Sequence, residues 1–75
     1  MEFDKGLDAS GLACPLPIVK TKKALAGMQP GEVLRVYSTD PGSVEDMPLF
    51  AEQTGNRLLA AGAEGDKFVF FLKKA

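Results

Sequence analysis

The stretch Leu7–Leu25, LDASGLACPLPIVKTKKAL, decides how this chain is read. It opens inside an alternating segment. Phe3, Leu7 and Ala9 share one parity and Glu2, Asp4 and Asp8 the other, the pattern of a half-buried strand. SGLAC then makes a turn, and a helix is expected from Pro15 to Met28. Ile18, Leu25 and Met28 fall at helical spacing, with Lys20, Lys22 and Lys23 on the other side. Cys14 reads as the N-cap and Pro15 as the first helical residue, where proline gives up no hydrogen bond and has its φ already set. Pro17 still lies within the first turn, whose amides lack intrahelical partners. The two prolines stiffen that turn and leave the amides of Leu16 and Ile18 to face an anion.

Outward from this stretch the elements follow in order. Gln29-Pro30-Gly31 ends the first helix. Glu32–Thr39, EVLRVYST, is β-branched and aromatic and predicts a second strand. Asp40-Pro41 reads as an N-cap and first helical residue again, opening a helix that buries Val44, Met47, Phe50, Ala51 and Thr54. Pro48 sits inside it and argues against an unbroken helix. Gly55-Asn56 closes it. Arg57–Ala63 and Lys67–Lys73 predict two strands joined by Glu64-Gly65-Asp66, a hairpin signal.

The order βαβαββ implies an α+β fold, a two-layer sandwich with two helices on one face of a four-stranded mixed sheet. With 75 residues the chain is expected to form a single domain, residues 1–75, with one small core. In the last strand Phe68, Phe70 and Leu72 are assigned to that core. Val69 and Phe71 fall on the open face with Tyr37 or Arg35, where an exposed aromatic patch would suggest docking or self-association.

Composition narrows the chemistry. An apolar fraction of 45% and a charged fraction of 25% suit a folded domain rather than a disordered segment. A net charge of −1 gives no general attraction to nucleic acid or anionic membrane, and no direct binding to either is expected. No window is long and apolar enough to span a bilayer, and MEFDKGLDAS does not have the order of a secretion signal. With one cysteine and no intrachain disulfide to form, the chain is expected in the cytoplasm.

The chain has no histidine, which excludes Cys-His nucleophilic pairs and zinc sites built from Cys and His. Glu45, Asp46 and Glu52 form an acidic patch on the second helix, and carboxylates at those spacings do not define a metal site. No metal and no cofactor are expected. A thiolate at a helix start meets the positive end of the helix dipole, with Lys20, Lys22 and Lys23 able to add to the field. Cys14 is therefore expected to titrate below a free thiol. A dithiol cycle has no second cysteine here, and acyl transfer has no base. Attack on a persulfide sulfur asks mainly for a thiolate and access. These constraints favour a sulfur carrier. The competing reading is a non-catalytic interaction or regulatory module in which Cys14 is a buried structural thiol. RNA binding rests on fold analogy alone, and the balanced charge counts against it.

With those residues in view, the chain resembles the TusA/SirA family of small sulfur-transfer proteins. Cys14-Pro15-Leu16-Pro17 matches the family's Cys-Pro-x-Pro motif. Asp8-x-x-Gly11-Leu12 precedes it, Thr39-Asp40-Pro41-Gly42 follows, and the likeness runs from Leu7 to Lys74. The resemblance implies a sandwich like the C-terminal domain of a bacterial translation initiation factor. It makes Cys14 the sulfur-bearing nucleophile, with Pro15, Pro17 and Gly11 as motif support. It implies a cytoplasmic sulfurtransferase that relays persulfide sulfur, with a covalent intermediate and no cofactor. Donors in such a family are cysteine desulfurases and rhodaneses, and acceptors are DsrE-type relay proteins. Those lead to tRNA thiolation, molybdenum-cofactor supply or sulfur oxidation. Asp40 is the first candidate for a partner contact, since both helices should start at one sheet edge. Lys20, Lys22 and Lys23 would steer an acidic partner. A monomer is expected.

Overall fold

The computed structural model describes residues 1–75, and its elements follow the expected order. They are β1 (Lys5–Ala9), α1 (Leu16–Ala26), β2 (Val33–Ser38), α2 (Ser43–Thr54), β3 (Arg57–Glu64) and β4 (Lys67–Lys73). The sheet runs β1-β2-β4-β3. β1 lies parallel to β2, from Lys5 opposite Leu34 to Ala9 opposite Ser38, and β4 is antiparallel to both β2 and β3. The sheet is therefore mixed, with two helices packed against it.

Alternation along β2 and β4 sorts the two faces. Leu34 pairs with Leu72 and Val36 with Phe70, and all four are buried in a cluster with Ala24, Leu25 and Met28. Met47, Phe50 and Ala51 of α2 complete that core. On the opposite face Arg35 pairs with Phe71 and Tyr37 with Val69, as the parity of the sequence predicts.

Several boundaries differ from the sequence expectation. α1 stops at Ala26, short of Met28. The amides of Gly27 and Met28 reach back to Ala24 and Leu25, a tightened last turn that keeps Met28 in the core. Its buried stripe is Pro17, Thr21, Ala24 and Leu25, with Ile18 only half-buried. Pro17 is thus a core residue, and the buried Thr21 hydroxyl donates to its carbonyl at 2.7 Å. In α2, Met47, Phe50 and Ala51 are buried as expected, while Val44 and Thr54 are exposed. α2 also runs unbroken through Pro48. Pro48 and Val44 both face solvent, so the carbonyl that loses its donor lies on the watered side.

Phe3 departs further. Alternation assigns it to the core face, but β1 begins only at Lys5 and Phe3 folds over the open face. There its ring stacks on Arg35, whose Cζ is 4.1 Å from the Phe3 centroid and 4.5 Å from that of Tyr37. Phe71 meets Phe3 at 6.5 Å between ring centroids. Gly6 makes room, since a Cβ there would sit 3.3 Å from an Arg35 Nη2. The aromatic face is accordingly capped by the chain's own Phe3 and Arg35.

Burial separates two leucines. Leu34→Ala, at a fully buried position, lowers unfolding stability by about 2–5 kcal/mol. Leu59→Ala, at an exposed position, changes it by less than about 0.5 kcal/mol. Urea unfolding followed by circular dichroism compares the two.

Candidate functional site

The site forms where β1 and β2 end. Because the strands are parallel, the loops that follow them leave from one edge of the sheet. Ser10 and Gly11 turn the chain away from β1, with the Ser10 amide donating to Asp8 Oδ1 at 3.0 Å. Gly11 has φ of 81°, a left-handed conformation that favours glycine. Its amide donates to Thr39 Oγ1 at 2.8 Å and so ties the Cys14 loop to the loop after β2.

α1 begins one residue later than the sequence suggests. Pro15, not Cys14, stands at the N-cap, no side chain caps the helix, and Pro17 lies in the first turn. The Leu16 amide, expected to face an anion, instead donates to the Ala13 carbonyl at 2.9 Å. Cys14 is joined to Pro15 by a cis peptide bond and its thiol is exposed.

α2 likewise starts at Ser43, with Gly42 at the N-cap. Asp40 does not cap it. Its carbonyl accepts the Ser43 amide at 3.0 Å, and its side-chain Oδ2 is buried without any donor. The Ser38 and Ser43 hydroxyls share a buried hydrogen bond of 2.7 Å, which pins the start of α2 to the end of β2. That pin brings the first turn of α2, with Asp46, against Cys14. The thiol donates to Asp46 Oδ2 at 3.1 Å.

This contact reverses the expected electrostatics. Cys14 is pushed above the ordinary thiol range, first because Asp46 accepts a hydrogen bond from the protonated form. Partial desolvation and the negative charges of Asp46 and Asp40 act in the same direction. Lys20, Lys22 and Lys23 are exposed along α1 and add no compensating field at the sulfur. Asp40 is brought to the same sheet edge as Cys14, as the parallel crossover predicts, whereas the three lysines lie exposed along α1.

Beside the thiol lies a hollow of about 240 Å³ between the two helices. Pro15, Ile18, Leu49 and Phe50 form its apolar wall, and Asp46 and Gln53 its polar side. Leu16, Val19 and Leu49 are exposed. No group of three or more Cys, Asp or Glu side chains is placed to hold a metal ion. Asp46 was not singled out by sequence reasoning as a partner of Cys14. It was read only as part of the acidic patch with Glu45 and Glu52, and its place in the first turn of α2 does not by itself show which loop it faces.

Comparison with known proteins agrees with this architecture. The family model described as sulfurtransferase TusA matches residues 5–74. The chain belongs to the TusA sulfurtransferase family. It is 57% identical over 74 residues to the sulfur carrier protein TusA of Allochromatium vinosum, covering 99% of this chain and 97% of that one. It is 45% identical over 74 residues to a putative sulfur carrier protein, YrkI, of Bacillus subtilis, covering 99% of each. Among solved structures, a SirA-like protein from Desulfitobacterium hafniense superposes with a TM-score of 0.79 at 26% identity. That match covers 96% of this chain and 97% of the other. The family assigns the TusA-type chain a general role in sulfur transfer. No helix is long and apolar enough to cross a membrane.

The raised titration has a consequence for stability. A thiol whose protonated form gains a partner on folding adds stability that is fully present below the unfolded thiol's ~8.5. That contribution is lost as pH rises through the folded value. The rate of Cys14 alkylation in the native chain is accordingly expected to reach its midpoint at a higher pH than in the urea-unfolded chain. Stopped-flow alkylation across pH 6 to about 11 measures both midpoints.

Proposed function

We propose that the chain is a cytoplasmic protein persulfide carrier in which Cys14 holds the sulfur in transit. The observation that supports this most is the exposed thiol at the rim of an apolar hollow, with no histidine, metal cluster or second cysteine beside it. An exposed thiol at a helix start does not suit a buried structural cysteine.

In the loading step the Cys14 thiol loses its proton to solvent and the thiolate attacks the outer sulfur of a donor persulfide. A bond forms between Cys14 Sγ and that sulfur. The donor's sulfur–sulfur bond breaks, and its electron pair leaves on the donor thiolate. Unloading is the same exchange with an acceptor thiolate as the attacker. Neither step oxidises or reduces the pair overall, so no cofactor is needed. The hollow walled by Ile18, Leu49 and Phe50 would shelter the transferred sulfur from bulk water between the two steps. A cysteine desulfurase or a rhodanese is proposed as the donor and a DsrE-type relay protein as the acceptor. Asp40 and the exposed apolar residues around the thiol are the contact candidates. The end product, whether thiolated tRNA, molybdenum cofactor or oxidised sulfur, follows from the acceptor.

Incubation with a cysteine desulfurase and cysteine, followed by intact-mass spectrometry, tests the reading. The native chain is expected to gain the mass of one sulfur, removable by a thiol reductant, and Cys14→Ser to gain none. A Cys14→Ser chain that gains the same mass, or a native chain that gains nothing from desulfurase or rhodanese donors, overturns it in favour of a non-catalytic module.

A further inference from the structure

The hydrogen bond between Cys14 and Asp46 joins the start of α1 to the first turn of α2, 32 residues further along the chain. Both residues line the hollow beside the thiol. A carboxylate accepting from the thiol favours its proton-bearing form and ties the exposed sulfur to α2. The negative charge there is not offset within the chain. Asp46 Oδ2 and Asp40 Oδ2 both crowd the position a Gly42 Cβ would occupy, at 3.6 and 3.0 Å. The Asp40 oxygen is buried with no donor at all. On α1 the lysines face solvent, so α2 supplies Asp46, the loop after β2 supplies Asp40, and α1 supplies no counter-charge at the sulfur.

We propose that Asp46 is a positioning residue that holds the exposed Cys14 thiol as a hydrogen-bond donor toward α2 in the free carrier, and that a lysine or arginine of the sulfur-exchanging partner releases it by taking the Asp46 carboxylate. Asp46 is half-exposed and lines the hollow, so a cation entering beside the thiol reaches it directly. Withdrawing the acceptor removes the hydrogen bond that favours the thiol, and the incoming positive charge favours the thiolate. The nucleophile is then generated at the docked interface rather than in free solution. A thiolate formed from a weakly acidic thiol is also intrinsically the stronger attacker. The partner class is thus one that presents a basic side chain next to its own reactive sulfur.

The partner half rests on Cys14 being the sulfur-bearing thiol. The thiol half does not, and iodoacetamide reads it without any sulfur transfer. Failure of sulfur loading and failure of this proposal are therefore separate outcomes. In Asp46→Asn the midpoint of the alkylation pH profile is expected to move down and the rate at pH 7 to rise about threefold. Leu49 lies one turn beyond Asp46, is exposed, and lines the same hollow, so Leu49→Lys sets an ammonium beside the carboxylate as a stand-in for the partner. Leu49→Gln matches its polarity without the charge. The difference between the two reads the charge alone, and the lysine variant is expected to show the lower midpoint. An unchanged midpoint in folded Asp46→Asn overturns the positioning role. Equal midpoints for Leu49→Lys and Leu49→Gln overturn release by a cation. If Asp46→Asn does not fold, the Leu49 pair, made in the native Asp46 background, still decides the question.

Discussion

The parallel pairing of β1 with β2 is the constraint on which the site depends. Parallel neighbours cannot be joined by a tight turn, so the chain must cross back over the sheet, and α1 is that crossover. The same pairing sets the ends of β1 and β2 at one edge. The loop bearing Cys14 and the loop leading to α2 leave from that edge together. The bond from the Gly11 amide to Thr39 Oγ1 and the buried Ser38–Ser43 pair then fix the two loops against each other. With both fixed, the first turn of α2 brings Asp46 to the thiol. Each polar tie does two jobs, since it satisfies a group at a crowded sheet edge and sets the spacing of the reactive residues.

Much of the fold was legible because its periodicities are clean. The β-branched and aromatic run Glu32–Thr39 marked β2, and the Phe68, Phe70, Leu72 parity sorted β4, placing Val69 and Phe71 with Tyr37 and Arg35 on the open face. Phe3 misled because alternation carries no information about where a strand starts. Two residues before Lys5 the chain is free to fold onto the open face, and Arg35 offers a cationic partner there. The helix starts were each misplaced for one reason. Cys14-Pro15 and Asp40-Pro41 both have the look of a cap followed by a first helical proline, yet in each case a turn of backbone hydrogen bonds precedes the helix. A cap is defined by φ and ψ at a single residue, and dipeptide chemistry alone does not determine those.

The electrostatics of the site were not legible at all, and the reason is physical. The lysines that stand close to Cys14 in sequence lie along a solvent-facing side of α1, where water screens them. Asp46, 32 residues away, sits within hydrogen-bonding distance. Field strength falls with distance in space, so one carboxylate in contact outweighs three ammonium groups further off. Any reading that weighs charges by their position along the chain therefore errs in sign at a site built from two crossovers.

That sign bears on what a carrier thiol requires. A strongly acidic cysteine is ionised everywhere, and so is open to any disulfide or oxidant it meets before its partner. It is also a weaker attacker per thiolate than a less acidic one, while leaving more readily. A carrier must both take sulfur up and give it away, and no single acidity favours both steps. A thiol whose acidity depends on a contact resolves the conflict. In the proposed scheme the sulfur stays a thiol while bonded to Asp46 and becomes the nucleophile when that bond is broken. The apolar hollow sharpens the difference, because charges act more strongly where water is displaced. The motif Cys14-Pro15-Leu16-Pro17 thus sets an exposed sulfur beside a Pro17 anchored in the core, and under the proposal above it is the contact from the second helix that governs when that sulfur reacts.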